Sequence, residues 1–186
     1  GLIRIDRDSI LQSGNDSDDA MELASAQEIA TDNWNKCLWL DPPREATEYL
    51  ARVHWLPNNK KEAVAQWQNR AQTCTILYKL DLETGKGRTL LMERSDVWIN
   101  LHHMFTVLSR PIHPDECNRN CNVDENRLLQ LPKPLPSGSF SFLFASERTG
   151  FSHLYLYTYV PGINSEQAIL LQAVTQGNWM VESIVG

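Results

Sequence analysis

Residue types able to do chemistry fall into three groups in this 186-residue chain. His102-His103-Met104-Phe105 sets two imidazoles beside an aromatic ring. Imidazole titrates near neutral pH and can move a proton or bind a polar ligand. The plainer reading is that these residues pack the first strand of a sheet. His113, Cys117 and Cys121 recur at every fourth residue. Structural zinc takes four ligands at characteristic spacings. No fourth ligand is evident, and the segment is a Pro- and Asn-rich loop, so neither a metal nor a cofactor is expected. His54 and His153 lie inside strand patterns and read as satisfied sheet residues.

The elements that must carry these groups read as strands. Phe140–Tyr159 holds two strand-forming runs around Glu147-Arg148-Thr149-Gly150, a short loop closed by glycine. That pattern is a β-hairpin. The second run is bulky on both faces, with Phe151, Tyr155, Tyr157 and Tyr159 on one and Leu154, Leu156 and Val160 on the other. A sheet with one wet face would alternate instead. The hairpin is therefore expected to be covered on both sides.

Upstream, Glu48–Trp55, Ala63–Gln68, Thr73–Leu80 and Arg88–Met92 are four short strands. Turns at Pro57–Lys60 and Thr84–Gly87 separate them, with no crossover helix, so an antiparallel meander follows. The pattern then restarts with a long strand at Val97–Leu108, followed by Ser139–Ser146, Phe151–Val160 and Gln167–Val174. Asn178–Val185 could open a third cycle. Trp55, Trp98 and Trp179 each lie in the run that begins a cycle and read as core. Ser109–Gly138 interrupts the second cycle and holds five of the nine prolines. Without it the repeat is roughly 50 residues, in the range of propeller blades.

The expected fold is all-β: a β-propeller fragment of about two and a half four-stranded antiparallel blades. An ordinary sandwich or barrel is the alternative. The expected division is 1–47 as a strand plus an acidic connection, 48–95 as a blade, 96–177 as a blade with the 109–138 insertion, and 178–186 as the first strand of a further blade. Within 1–47, Leu2–Asp6 looks like a strand rather than a signal peptide. Asp18–Ala30 looks like a short helix or a mobile connection.

The net charge of −6 argues against a nucleic-acid partner, which calls for a basic patch. No apolar run approaches the ~20 residues of a membrane span. The four cysteines form no disulfide framework, and Cys74 reads as a small buried hydrophobe. A sequon at Asn15-Asp16-Ser17 leaves secretion open. Exposed blade edges could pair with a second copy of the chain.

Four segments resemble the N-terminal β-propeller of the dipeptidyl peptidase IV family, within the prolyl oligopeptidase group of serine peptidases. Glu48–Trp55 is similar to "EYIARAGW" and Asp96–Phe105 to "DIWINIHDIF", both from the family's cytosolic branch, dipeptidyl peptidases eight and nine. Phe142–Tyr155 is similar to "FIFASECKTGFRHLY", and Thr175–Val181 to "TSGEWEV". His103 stands where the family has Asp, Asn178 where it has Glu, and Met180 where it has Glu, which points to a divergent relative.

The resemblance implies a cytoplasmic parent enzyme acting on peptide substrates. Its Ser-Asp-His triad would lie in a C-terminal α/β-hydrolase domain, and this chain would dock on that domain. No Gly-x-Ser-x-Gly elbow occurs here, and Gly138-Ser139-Phe140 reads as a strand start. No Glu-Glu pair of the kind that holds the substrate's amino terminus occurs either. No residue of this chain is therefore expected to be catalytic. By resemblance, His102, His103 and Phe105 would face the cleft between propeller and catalytic domain. The alternative function is a propeller module for protein–protein interaction.

Overall fold

Two four-stranded antiparallel meanders face one another in the computed structural model, which describes residues 38, 40–57, 59–117, 131–162 and 167–185. Leu2–Asp6 and Asp18–Ala30 lie outside the described residues. The first sheet runs β1 (Tyr49–Leu56), β2 (Asn59–Gln68), β3 (Cys74–Asp81) and β4 (Gly87–Arg94) in chain order. The second runs β5 (Phe105–Val107), β6 (Phe140–Ser146), β7 (His153–Tyr159) and β8 (Ile169–Ala173), also in chain order. One 3-10 turn, Pro114–Glu116, lies in the connection from β5 to β6.

The central strands are covered on both faces. Every residue of β7 is buried, as is all of β3 except Asp81. Between the sheets, Leu56, Val64, Leu77, Leu90 and Leu91 meet Phe105, Phe140, Phe142, Phe144, Tyr155, Tyr157 and Tyr159. The rings of Phe142 and Tyr157 stack with centroids 5.3 Å apart and planes 11° apart. Such aromatic contacts add specific geometry to the area they bury.

Turn chemistry fixes the hairpins. Gly150 has φ 91°, a conformation that favours glycine, and its N–H donates to Glu147 O at 2.8 Å. Gly87 is needed for space instead: a Cβ there would stand 2.1 Å from the Tyr78 ring.

The second blade departs from expectation in two ways. Val97–Leu108 is not one long strand, because only Phe105–Val107 pairs with β6. Ile99 N donates to Gln72 O, and Ile99 O accepts from Gln68 Nε2 at 3.0 Å. Those bonds draw the backbone to the first sheet instead of into a ladder.

The Pro-rich interruption is in part a packed cover. Ile112, Cys117 and Leu131 lie against Leu156, Ile169 and Leu171 on the outer face of the second sheet. Ile112 N donates to Ser141 Oγ at 2.7 Å, and Thr158 Oγ1 donates to Ile112 O at 3.1 Å.

Asn178–Val185 forms no strand, since no described segment pairs with it. Val181 and Ile184 pack instead on Met104, Ala145 and Leu154. The described residues thus form two four-stranded blades, as a partial propeller.

The three tryptophans are not core. Trp55, Trp98 and Trp179 are 67%, 63% and 52% exposed. Trp55 sits on the sheet face turned away from the second blade, and Trp98 lies outside any strand. Cys74 is buried as expected, in a cluster with Ala65, Trp67, Ile76, Tyr78 and Leu80.

Candidate functional site

The segment Trp98–Met104 leaves the ladder, and beyond the Ile99 backbone bonds its side chains are gathered by one carboxylate. Asn100 Nδ2 donates to both oxygens of Glu147, at 2.8 and 3.0 Å. His102 Nε2 lies 3.5 Å from Glu147 Oε1, an electrostatic approach rather than a good hydrogen bond. Glu147 opens the β6–β7 turn, which is why it can reach a loop 47 residues earlier in the chain. His103, next in line, is exposed to solvent.

Phe105 is placed differently. Its ring is buried between the sheets, 4.8 Å from the His54 ring and 5.3 Å from Phe142. It anchors the loop by packing and is not open to a cleft. Of the three residues named from sequence, His103 is exposed, His102 is largely covered with its Nε2 buried, and Phe105 is the peg beneath the loop.

Beside Glu147 the next residue points into the inter-sheet seam. Arg148 bonds to Glu93 of β4 and to the Tyr157 hydroxyl of β7. Its guanidinium also lies 4.4 Å from the Tyr155 ring centroid. Burial pushes the Tyr157 phenol up to about 12, opposed in part by the neighbouring Arg148 charge. A second cross-blade clasp lies farther along, where buried Lys79 pairs with Glu62 and sits 5.6 Å from the Tyr159 ring centroid. The Arg148 contacts and the Lys79–Tyr159 approach join the two sheets.

The remaining histidines serve the fold. His153 is satisfied as expected: Nδ1 meets Thr175 Oγ1 at 3.1 Å and Nε2 meets Gly177 O at 2.9 Å. The carbonyl acceptor fixes Nε2 as the donor, so Nδ1 accepts from the Thr175 hydroxyl. That pair resembles a base and nucleophile, but the imidazole is buried and Thr175 Oγ1 also accepts from Leu154 N at 3.0 Å. Its effect is to pin Thr175–Trp179, whose indole meets the His153 ring edge-on.

His54 differs from expectation, since its Nε2 finds no hydrogen-bond partner among the described residues. Burial, then the charge of Arg52, pulls its pKa down, so the neutral ring is favoured against Phe105. His113 caps the 3-10 turn, its Nδ1 accepting from Asp115 N at 3.2 Å. Cys121 lies outside the described residues.

Sequence reading missed Glu147 and Arg148 because both sit in a turn. A Glu-Arg pair is not the usual Asn/Gly/Asp chemistry of a hairpin loop, and that mismatch is the available signal.

The loop offers imidazole and amide groups and carries no serine, threonine or cysteine between Trp98 and Met104.

The model of the dipeptidyl peptidase IV (DPP IV) N-terminal region matches residues 22–186 of this chain. The match takes in both meanders, the Glu147 turn and the His102–His103 loop. Stacked four-stranded antiparallel blades, covered on both faces, are what a propeller requires. The chain belongs to the dipeptidyl peptidase IV N-terminal region family, and its two sheets are part of a β-propeller.

Proposed function

We propose that this chain is the non-catalytic propeller part of a serine-type dipeptidyl peptidase, closest to the cytosolic branch of dipeptidyl peptidases eight and nine. It shapes and gates peptide access to an α/β-hydrolase domain on the same polypeptide. The family match over residues 22–186 carries the reading. The Glu147-tethered loop supports the gating role, since Asn100 and His102 are fixed by Glu147 and the adjacent His103 is exposed. A cytoplasmic parent accords with the same resemblance, and cell fractionation tests it.

The experiment compares the isolated chain with the full-length parent on an Xaa-Pro amide. The parent hydrolyses it and the chain does not. Turnover by the chain, or an inactive parent lacking a Gly-x-Ser-x-Gly elbow downstream, overturns the reading.

A second reading, a platform for protein partners, is favoured by the solvent-facing Trp55, Val97 and Trp98. It requires a parent without a hydrolase domain. Pairing of two copies through blade edges is tested by sedimentation.

A further inference from the structure

The free edge of β4 borders an open cleft of about 930 Å³ between the two blades. Its walls include Met92, Glu93, Arg94 and Asp96–Ile99 on one side, and Glu147, Arg148, Tyr157, Gln167, Ala168 and Leu170 on the other.

The backbone of β4 alternates its hydrogen-bonding direction. Ser95 N donates to Thr73 O, and Glu93 and Leu91 pair in phase with it against Thr75 and Leu77 of β3. Met92 and Arg94 therefore turn their N–H and C=O groups away from β3, toward the cleft. The next group along this edge, Leu90 O, already accepts from Ala168 N at 2.7 Å. The edge is thus competent to bond an added chain, and two residues of it are vacant among the described residues.

Charge distinguishes the occupant. Both arginines of the wall are neutralised, Arg94 by Glu45 and Arg148 by Glu93. Asp96 and Glu147 have no lysine or arginine partner among the described residues, so the rim is net acidic. Beside Asp96 the indole of Trp98 and the side chain of Val97 are exposed. An aromatic face next to a carboxylate suits a cationic side chain on an apolar stem.

We propose that this cleft binds an extended, lysine- or arginine-bearing peptide segment of a partner protein by strand addition to β4. The segment's backbone continues the ladder along Met92 and Arg94. Its alternate basic side chains reach Asp96 and Trp98. This is one of the recurring modes of peptide recognition, with main-chain bonds giving affinity and flanking side chains giving selectivity. The proposal goes beyond the peptidase reading, which assigns no role to the outer edge of the blade.

The test is fluorescence anisotropy on the 186-residue chain with a fluorescein-labelled peptide of alternating lysine and valine. Binding is saturable, weakens with added salt, and weakens by about tenfold or more in D96K and in W98A. Both sites are exposed, and retained thermal unfolding identifies folded variants. N-methylation of alternate peptide nitrogens abolishes binding in the register that faces β4 and spares it in the other.

The proposal is overturned by absence of saturable binding, or by equal binding of a glutamate–valine peptide. It is also overturned if folded D96K and W98A bind as the wild type does, or if both methylated registers bind alike.

Discussion

Asn100 and Glu147, 47 positions apart in the chain, share two hydrogen bonds of 2.8 and 3.0 Å from one amide nitrogen to one carboxylate. This contact ties the loop before β5 to the turn between β6 and β7. Together with the Ile99 bonds to Gln68 and Gln72, it draws a segment rich in strand formers out of the ladder. It also fixes where Asn100 and His102 stand.

Replacing Glu147 with Ala releases both Asn100 and His102. The expected loss is about 1–2 kcal/mol of unfolding free energy, the range for hydrogen bonds to a charged acceptor that is partly exposed. Side-chain NMR signals of Asn100 and His102 shift while those of the Phe142–Tyr157 core stay in place. A variant that perturbs the core signals instead would mean Glu147 acts through packing.

Arg148 joins the blades through Glu93 and Tyr157, and its charge is planar and stacked on Tyr155. Arg148→Lys keeps the charge but cannot reproduce the fork and the stack. With Arg148 about one-third exposed, screening reduces the penalty to about 2 kcal/mol, read by urea unfolding. An unchanged midpoint in the lysine variant would contradict the clasp.

Core and surface aromatics separate cleanly. Phe142→Ala removes a fully buried ring from the inter-sheet cluster and costs about 3–5 kcal/mol. Trp55→Ala costs well under half of that, because the indole is two-thirds exposed. Equal losses would show that Trp55 is covered in the folded chain.

Tyr157 supplies a pH signature. Its phenol ionises near 10 in the unfolded chain and is pushed up to about 12 in the fold. A raised pKa means the neutral form is favoured by folding. That contribution is complete below pH 10 and is lost as pH rises from 10 through 12. Urea midpoints at increasing alkaline pH, with tyrosinate absorbance in parallel, follow this loss. In Tyr157→Phe the alkaline decline is shallower.

Much of the fold is legible in the sequence because period-two alternation and turn glycines are local signals. Phe140–Tyr159 announces both its strands and its burial, since bulky residues occupy each face. The less legible parts depend on distant partners. Val97–Leu108 has strand propensity, but Gln68, Gln72 and Glu147 claim its backbone and side chains from elsewhere in the chain. The tryptophans mislead for a related reason: residue type predicts burial only where a second layer exists to cover the site. Of the candidate site, the histidine loop is visible as a motif. The carboxylate that holds it is hidden in a turn, where a charged residue is ordinarily just solvated.

The most direct measurement is steady-state kinetics of the full-length parent on an Xaa-Pro amide, with His102→Ala and His103→Ala beside the wild type. The account predicts an active parent in which either change raises KM several-fold and leaves kcat within about twofold, because the loop binds and does not react. Loss of kcat with KM unchanged would contradict it, as would a parent with no dipeptidyl peptidase activity.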